Sequence, residues 1–237
     1  RRGVQMTDTD MNNLSLYLEK NYGLTSDRVI TKAVDIVANN NSFHPIIDFL
    51  EGLTWDGTPR ISHMLTHFFG AEDQKYTGEI MKMHMMAAIS RLYEPGTKYD
   101  IMLCLVGGQG TGKSTFFKYL AIKDEWFTDD MKRLDDKKVY EYLQGHWIVE
   151  MSEMNAVANA KSIEETKSFL SRQKDTYRIP YERRAEDRYR QCVFCGTSND
   201  LAFLPFDRTG NRRFGPVKVC PEKAEVTVYK NEKESRE

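Results

Sequence analysis

Apolar residues recur three and four positions apart in DMNNLSLYLEK (10–20) and RVITKAVDIVA (28–38), which places them on one face of a helix and predicts two short amphipathic helices. HPIIDFLEGL (44–53) predicts a third, closed by the turn-forming run WDGTPR. ISHMLTHFF (61–69) and the methionine-rich EIMKMHMMAAISRLY (79–93) extend the helical pattern until Glu94-Pro95-Gly96 stops it. His84 lies among those methionines with no second ligand at helical spacing, so it is expected on a helix in or near the core rather than on a metal. From residue 100 the rhythm changes. IMLCLV, HWIVEM and QCVFCGT read as strands, and GKSTFFKYLA, VYEYL and IEETKSFLS as the helices between them. Strands alternating with helices predict an α/β fold, a mostly parallel sheet flanked by helices and preceded by a small helical region. Ligands in such sheets bind beyond the carboxyl ends of the strands.

Composition narrows the possible partners. Among 237 residues, 34 Lys and Arg against 35 Asp and Glu give a net charge of −1, so any surface that binds nucleic acid must be local. Apolar runs fall far short of the roughly 18 residues needed to cross a bilayer, and no signal segment opens the chain, so the cytosol is the expected compartment and no membrane partner is expected. Four cysteines are too few for a disulfide scaffold. Cys192 and Cys195 have C-x-x-C spacing, but strand alternation sends them to opposite faces and argues against a metal or redox site. A chain that opens on Arg1 and ends in NEKESRE is expected to be an excerpt of something longer.

The loop after IMLCLV reads Gly107, Gly108, Gln109, Gly110, Thr111, Gly112, Lys113, Ser114, followed by Thr115. It satisfies G-x-x-x-x-G-K-[ST] between a predicted strand and a predicted helix, the context in which that pattern cradles a polyphosphate. Glycines let successive N–H groups turn into one concavity, and the positive end of the helix adds to it. Lys113 would reach the terminal phosphates of ATP, and the Ser114 hydroxyl would ligate Mg²⁺. A hydrolytic site also needs a carboxylate at a neighbouring strand end. HWIVEMSEM offers Glu150 and Glu153, which face opposite ways on an extended strand. Glu153, at the strand's end, is the better placed for the attacking water and for the Mg²⁺ shell. Glu150 is open between supporting that shell, pairing with an arginine, and being a solvated edge charge. Asn199, ending GTSN, would hydrogen-bond the terminal phosphate or position water; read alone, it would be a turn residue.

Residues 172–190, RQKDTYRIPYERRAEDRYR, carry seven basic and four acidic side chains with three tyrosines interleaved, and look like two short strands around a polar turn. Arg178, Tyr181, Arg183, Arg184 and Arg188 suit a single strand of nucleic acid, since guanidinium neutralises phosphate and aromatic faces stack on any base. A solvated hairpin with internal Arg–Glu pairs fits the composition equally. Arg212 and Arg213 follow the Asn199 strand. One of them could reach a neighbouring subunit's γ-phosphate, or both could be locally paired.

With FHPIIDFLEGLTWDGTPRI, PGTKYDIMLCLVGGQGTGKST, HWIVEMSEM, FLSRQKDTYRIPYERRAEDRYRQCVFCGTSND and DRTGNRRF together, the chain resembles, from about Phe43 to Val217, the virulence-associated protein E family. These are P-loop proteins of phages and other mobile elements, related to superfamily III helicases. The resemblance implies an AAA+-type P-loop ATPase that forms a ring, commonly a hexamer, and drives unwinding of forked or single-stranded DNA in replication. It makes Gly107, Gly112, Lys113 and Ser114 the Walker A element, Glu153 with Glu150 nearby the Walker B acid, Asn199 the sensor, and Arg212 and Arg213 finger candidates. Tyr177 to Arg188 matches a hairpin that touches DNA in the central channel. The acidic motif lacks an adjacent pair of acids, residues before about 43 match nothing in the family, and no primase module is visible, although a primase or replication partner is expected. The implied organisation is a helical region over 1–75, an ATPase core over 76–218 and the start of a further region over 219–237. A nucleotide-gated scaffold that recruits replication or defence partners without unwinding is the alternative, and a small-molecule kinase is disfavoured by the Arg/Tyr segment.

Overall fold

The computed structural model describes residues 6–72, 75–131, 139–152, 160–178, 184–200 and 211–228. The chain divides into two units, Arg1–Asp56 and Gly57–Glu237. In the first, helices α1 (Asp8–Tyr22), α2 (Asp27–Asn40) and α3 (Pro45–Glu51) stand where the apolar spacing predicts them. A reciprocal cap starts α1: the Thr7 hydroxyl accepts the Asp10 N–H at 3.3 Å, and the Asp10 carboxylate accepts the Thr7 N–H at 2.9 Å. Among the described residues of this unit only Ile30 and Ile46 are buried, while Trp55 is 76% exposed.

The second unit opens with a 3₁₀ turn, Ile61–His63, then α4 (Met64–Phe69) and α5 (Lys75–Tyr93). The expected boundary near residue 75 falls inside this unit, because α4 packs against α5. The rest runs β1 (Met102–Val106), α6 (Lys113–Leu120), β2 (Phe127–Thr128), α7 (Val139–Leu143), β3 (Ile148–Met151), α8 (Ala160–Leu170), β4 (Lys174–Tyr177), β5 (Glu186–Tyr189), β6 (Val193–Ser198) and β7 (Phe214–Lys218), with strands and helices alternating as far as α8. Five strands form one sheet in the order β2-β3-β6-β1-β7, every pairing parallel. Covering of both faces explains why β1 is buried at every position and reads as a continuous apolar run instead of an alternation. Two strands escape the sequence reading. β2 is only two residues long, and β7 contains Gly215 and Pro216, which argue against a strand. Pro216 is tolerated because β7 is an edge strand and the residue is exposed.

Two buried basic side chains on α5 shape the sheet's approach. Arg91 donates to the carbonyls of Thr97 (2.9 Å), Tyr99 (2.7 Å) and Cys192 (2.7 Å), so one guanidinium ties the segment before β1 to the segment before β6. Burial pushes its pKa below the ordinary arginine value. His84 is fully buried as expected, with Nδ1 3.4 Å from the Tyr99 hydroxyl and Nε2 unpartnered among the described residues. Burial lowers its pKa from 6.5 to about 4. The unfolded chain therefore binds a proton that the fold refuses. The stabilisation is full above pH 6.5 and is lost as pH falls toward 4, about 3 kcal/mol over that window. Urea midpoints measured from pH 7 to 4 should fall less steeply in His84→Leu than in the natural chain; equal slopes would refute this role.

Candidate functional site

The loop from Gly107 to Gly112 leaves the carboxyl end of β1 and enters α6, the placement its sequence predicts. Gly112 caps α6 at φ 85°, a left-handed conformation that a residue with a Cβ adopts only with strain. At Gly107 a Cβ would lie 3.0 Å from both the Cβ and the carbonyl oxygen of Val219, so a side chain there would push the loop off the segment that follows β7. These two glycines fix the loop's path. The Thr111 hydroxyl closes it by donating to the Gly108 carbonyl at 3.1 Å.

Sheet register delivers the other groups to the same end. Val106 pairs with Ser198, and Met151 with Gly196, so the carboxyl ends of β1, β3 and β6 lie side by side. Lys113 Nζ donates to the carbonyls of Gly107 and Gly108, each at 2.8 Å, and to Asn199 Oδ1 at 3.3 Å. Lys113 and Asn199, predicted from separate motifs, therefore meet. Burial lowers the Lys113 pKa, and the Glu150 charge opposes that shift.

Glu150 is fully buried on β3. Its Oε1 accepts the Ser114 hydroxyl at 2.8 Å and the Thr197 hydroxyl at 2.7 Å, and its Oε2 is unpartnered among the described residues. Burial raises its pKa, while the hydroxyls of Thr197 and Ser114 hold it down. Glu150 is buried rather than a solvated edge charge, and the partners the structure gives it are the hydroxyls of Ser114 and Thr197, which the sequence did not anticipate. Thr197 is a site residue that sequence reasoning missed. GTSN marked a small polar cluster, but its contact with Glu150 exists only because β3 and β6 are neighbours in the sheet. Gln109, Gly110 and Ser114 are exposed, and Thr115 is half-buried. Glu153 lies outside the described residues.

Arg212 and Arg213 precede β7, whose Phe214 pairs with Met102 at the start of β1. They sit at the opposite end of the sheet from the glycine loop, about 13 Å away along the strand. Arg213 is held by Asp100 at 3.3 Å and by the Ser171 hydroxyl at 2.8 Å. Arg212 is exposed and has no hydrogen bond or ion pair among the described residues.

β4 and β5 form the antiparallel pair expected for the basic segment, with Asp175 opposite Arg188 and Tyr177 opposite Glu186. Its turn, including Tyr181 and Arg183, lies outside the described residues. Arg178 and Arg184 are exposed. Arg188 is 3.7 Å from Glu186 and lies over the Tyr177 ring at 5.5 Å. The root is clamped to the core. Arg190 meets both oxygens of Asp175, at 2.6 and 2.9 Å, and donates to the Phe169 carbonyl at 2.6 Å. Cys192 and Cys195 are buried free thiols, and the described residues contain no group of three or more His, Cys, Asp or Glu that could hold a metal.

A parallel sheet flanked by helices, with polar groups gathered at the carboxyl ends of β1, β3 and β6, defines an α/β protein whose candidate site sits at the strand ends. The family model described as "virulence-associated protein E-like domain" matches residues 50–237, and the chain belongs to this family. No curated protein matches the chain. Among solved structures, the A-form apo structure of the NrS-1 C-terminal region aligns with a TM-score of 0.51 at 18% identity, covering 70% of this chain and 39% of that one. A second structure of that region gives 0.49 at 19% identity, covering 77% and 42%. The first likeness shows a shared fold, and the chain spans about two fifths of the length of these structures. Among the described residues no helix is long and apolar enough to cross a membrane.

Proposed function

We propose that the chain is the ATPase core of a DNA helicase or translocase acting in the replication of a phage or other mobile genetic element. The observation that carries this reading is the meeting of Lys113, Ser114, Glu150 and Asn199 at one end of the sheet, beside a loop whose backbone suits a triphosphate. Membership of the virulence-associated protein E-like family supports the replication setting. Lys113 would exchange its loop carbonyls and Asn199 for the terminal phosphate oxygens, leaving Asn199 beside the same phosphate. A divalent cation fits the acid. Glu150 Oε2 is buried without a partner among the described residues, and the Ser114 hydroxyl already lies on that carboxylate. Ser114 and Glu150 would hold Mg²⁺, which when bound neutralises charge on the phosphate oxygens. Glu153 keeps its sequence-based place as the acid for the attacking water.

The arginine pair supports assembly into a ring, commonly a hexamer. Neither arginine can serve its own loop from the far end of β1, so a neighbouring subunit's loop is the fitting target. Arg212 is the finger, because Arg213 is engaged by Asp100 and Ser171. The exposed Arg178 and Arg184 would track the phosphates of a single strand.

The test measures ATP hydrolysis with and without poly(dT), beside displacement of a labelled strand from a forked duplex. Mg²⁺-dependent hydrolysis and displacement are expected together. Hydrolysis without displacement would leave the scaffold alternative, and no hydrolysis would sink the ATPase assignment.

A further inference from the structure

Building on the proposed function, we infer that Tyr140 is the positioning residue through which a bound strand changes turnover at the nucleotide site. The Tyr140 ring stacks on Tyr177 of β4, with centroids 4.8 Å apart and planes inclined by 10°. The Gln144 amide donates to the Tyr177 hydroxyl. On its other side α7 belongs to the acid strand: Val139 is buried in one cluster with Val149 and Met151, the two neighbours of Glu150. The chain then reaches Ile148 at the start of β3 through the four residues 144–147. Thus α7 stacks on the hairpin through Tyr140 and shares the core cluster of the strand carrying Glu150 through Val139.

The hairpin is fixed at its root and meets α7 at Tyr177 through a stacked ring and one side-chain hydrogen bond. Arg190, Asp175 and the Phe169 carbonyl form a buried clamp whose geometry allows little movement. Two stacked rings can shift in plane while staying in contact, within the reach that the Gln144 hydrogen bond to the Tyr177 hydroxyl allows. Arg188 supplies the bias. Its guanidinium lies over Tyr177, and drawing it onto a backbone phosphate would alter the contacts of the ring on which Tyr140 rests. Tyr177 itself is a poor platform for a nucleobase, since Tyr140 and Arg188 already lie against it.

The test compares the full chain with Tyr140→Phe and Tyr140→Leu, reading basal ATP turnover, poly(dT) affinity and turnover at saturating poly(dT). Phenylalanine keeps the stack and should match the natural chain in all three. Leucine fills much of the space without a ring face. It should leave basal turnover and affinity within about twofold, while stimulation by poly(dT) falls by about fivefold or more. Full stimulation in Tyr140→Leu, a parallel fall in basal turnover or affinity, or loss of stimulation in Tyr140→Phe would each overturn the inference. If the natural chain turns over ATP without responding to poly(dT), the coupling alone fails. If it turns over no ATP, the underlying ATPase reading fails with it.

Discussion

Replacing Lys113 with alanine is expected to lower ATP turnover by about 10³-fold or more, because it removes the side-chain cation that the loop's own carbonyls hold in place. The fold should survive. The carbonyls that Lys113 leaves belong to Gly107, which is half-buried, and Gly108, which is exposed, so water can replace the lost donors. Burial also holds the Lys113 pKa below the ordinary lysine value, so the fold itself gains little from its charge. Lys118→Ala, which removes from the same helix a half-buried lysine paired with the exposed Asp124 beyond it, should leave turnover unchanged. Residual turnover within tenfold of the natural chain in Lys113→Ala would reject the loop as the site. The variant also tests the trans arginine. Mixed with Arg212→Ala subunits, themselves inactive, it should regain activity, because some interfaces then combine an intact lysine with an intact arginine. Failure to complement would remove Arg212 from the neighbouring site.

Local signals made most of this architecture readable. The helices of the first unit, α5, β1, α6, β3, α8 and β6 all follow from spacing and punctuation within the segment itself. β7 was not readable, since Gly215 and Pro216 have no strand signature and take their place from the pairing with β1. The site divides the same way. Lys113 and Ser114 belong to one contiguous motif, so their nearness is legible in the chain itself. The partners of Glu150 are not contiguous with it: Ser114 precedes it by 36 positions and Thr197 follows by 47. Counting along a strand says that Glu150 and Glu153 point apart, but not which direction faces the loop. The bonds from the Ser114 and Thr197 hydroxyls supply that for Glu150. The arginines show the converse. Adjacent and chemically identical in sequence, they separate only in three dimensions, where Asp100 and Ser171 engage one of them.

Arg190→Ala is expected to cost about 3 kcal/mol of folding stability, near the lower end of what breaking a buried ion pair costs. Both partners are almost fully buried, with side-chain exposures of 1% for Arg190 and 3% for Asp175. The guanidinium makes a two-pronged contact with the carboxylate, caps the Phe169 carbonyl, and lies 4.2 Å from the Phe169 ring centroid and 5.3 Å from that of Phe194. Alanine removes all of these at once and leaves a buried carboxylate exposed to little but apolar surface. One nearby charge limits the damage. Arg172, 3.8 Å from Asp175 and 45% exposed, can cover part of it, which is why the lower end of the range is expected. Lysine at 190 should recover little, since an ammonium cannot reproduce the planar fork or lie flat on the rings. Removing both charges, as Arg190→Met with Asp175→Leu, should be less damaging than Arg190→Ala alone, because no uncompensated charge remains. Urea unfolding of the four proteins measures this. A loss below about 1 kcal/mol in Arg190→Ala would place the clamp among weakly contributing surface pairs, and the hairpin would then lack the fixed attachment from which its coupling to α7 was argued.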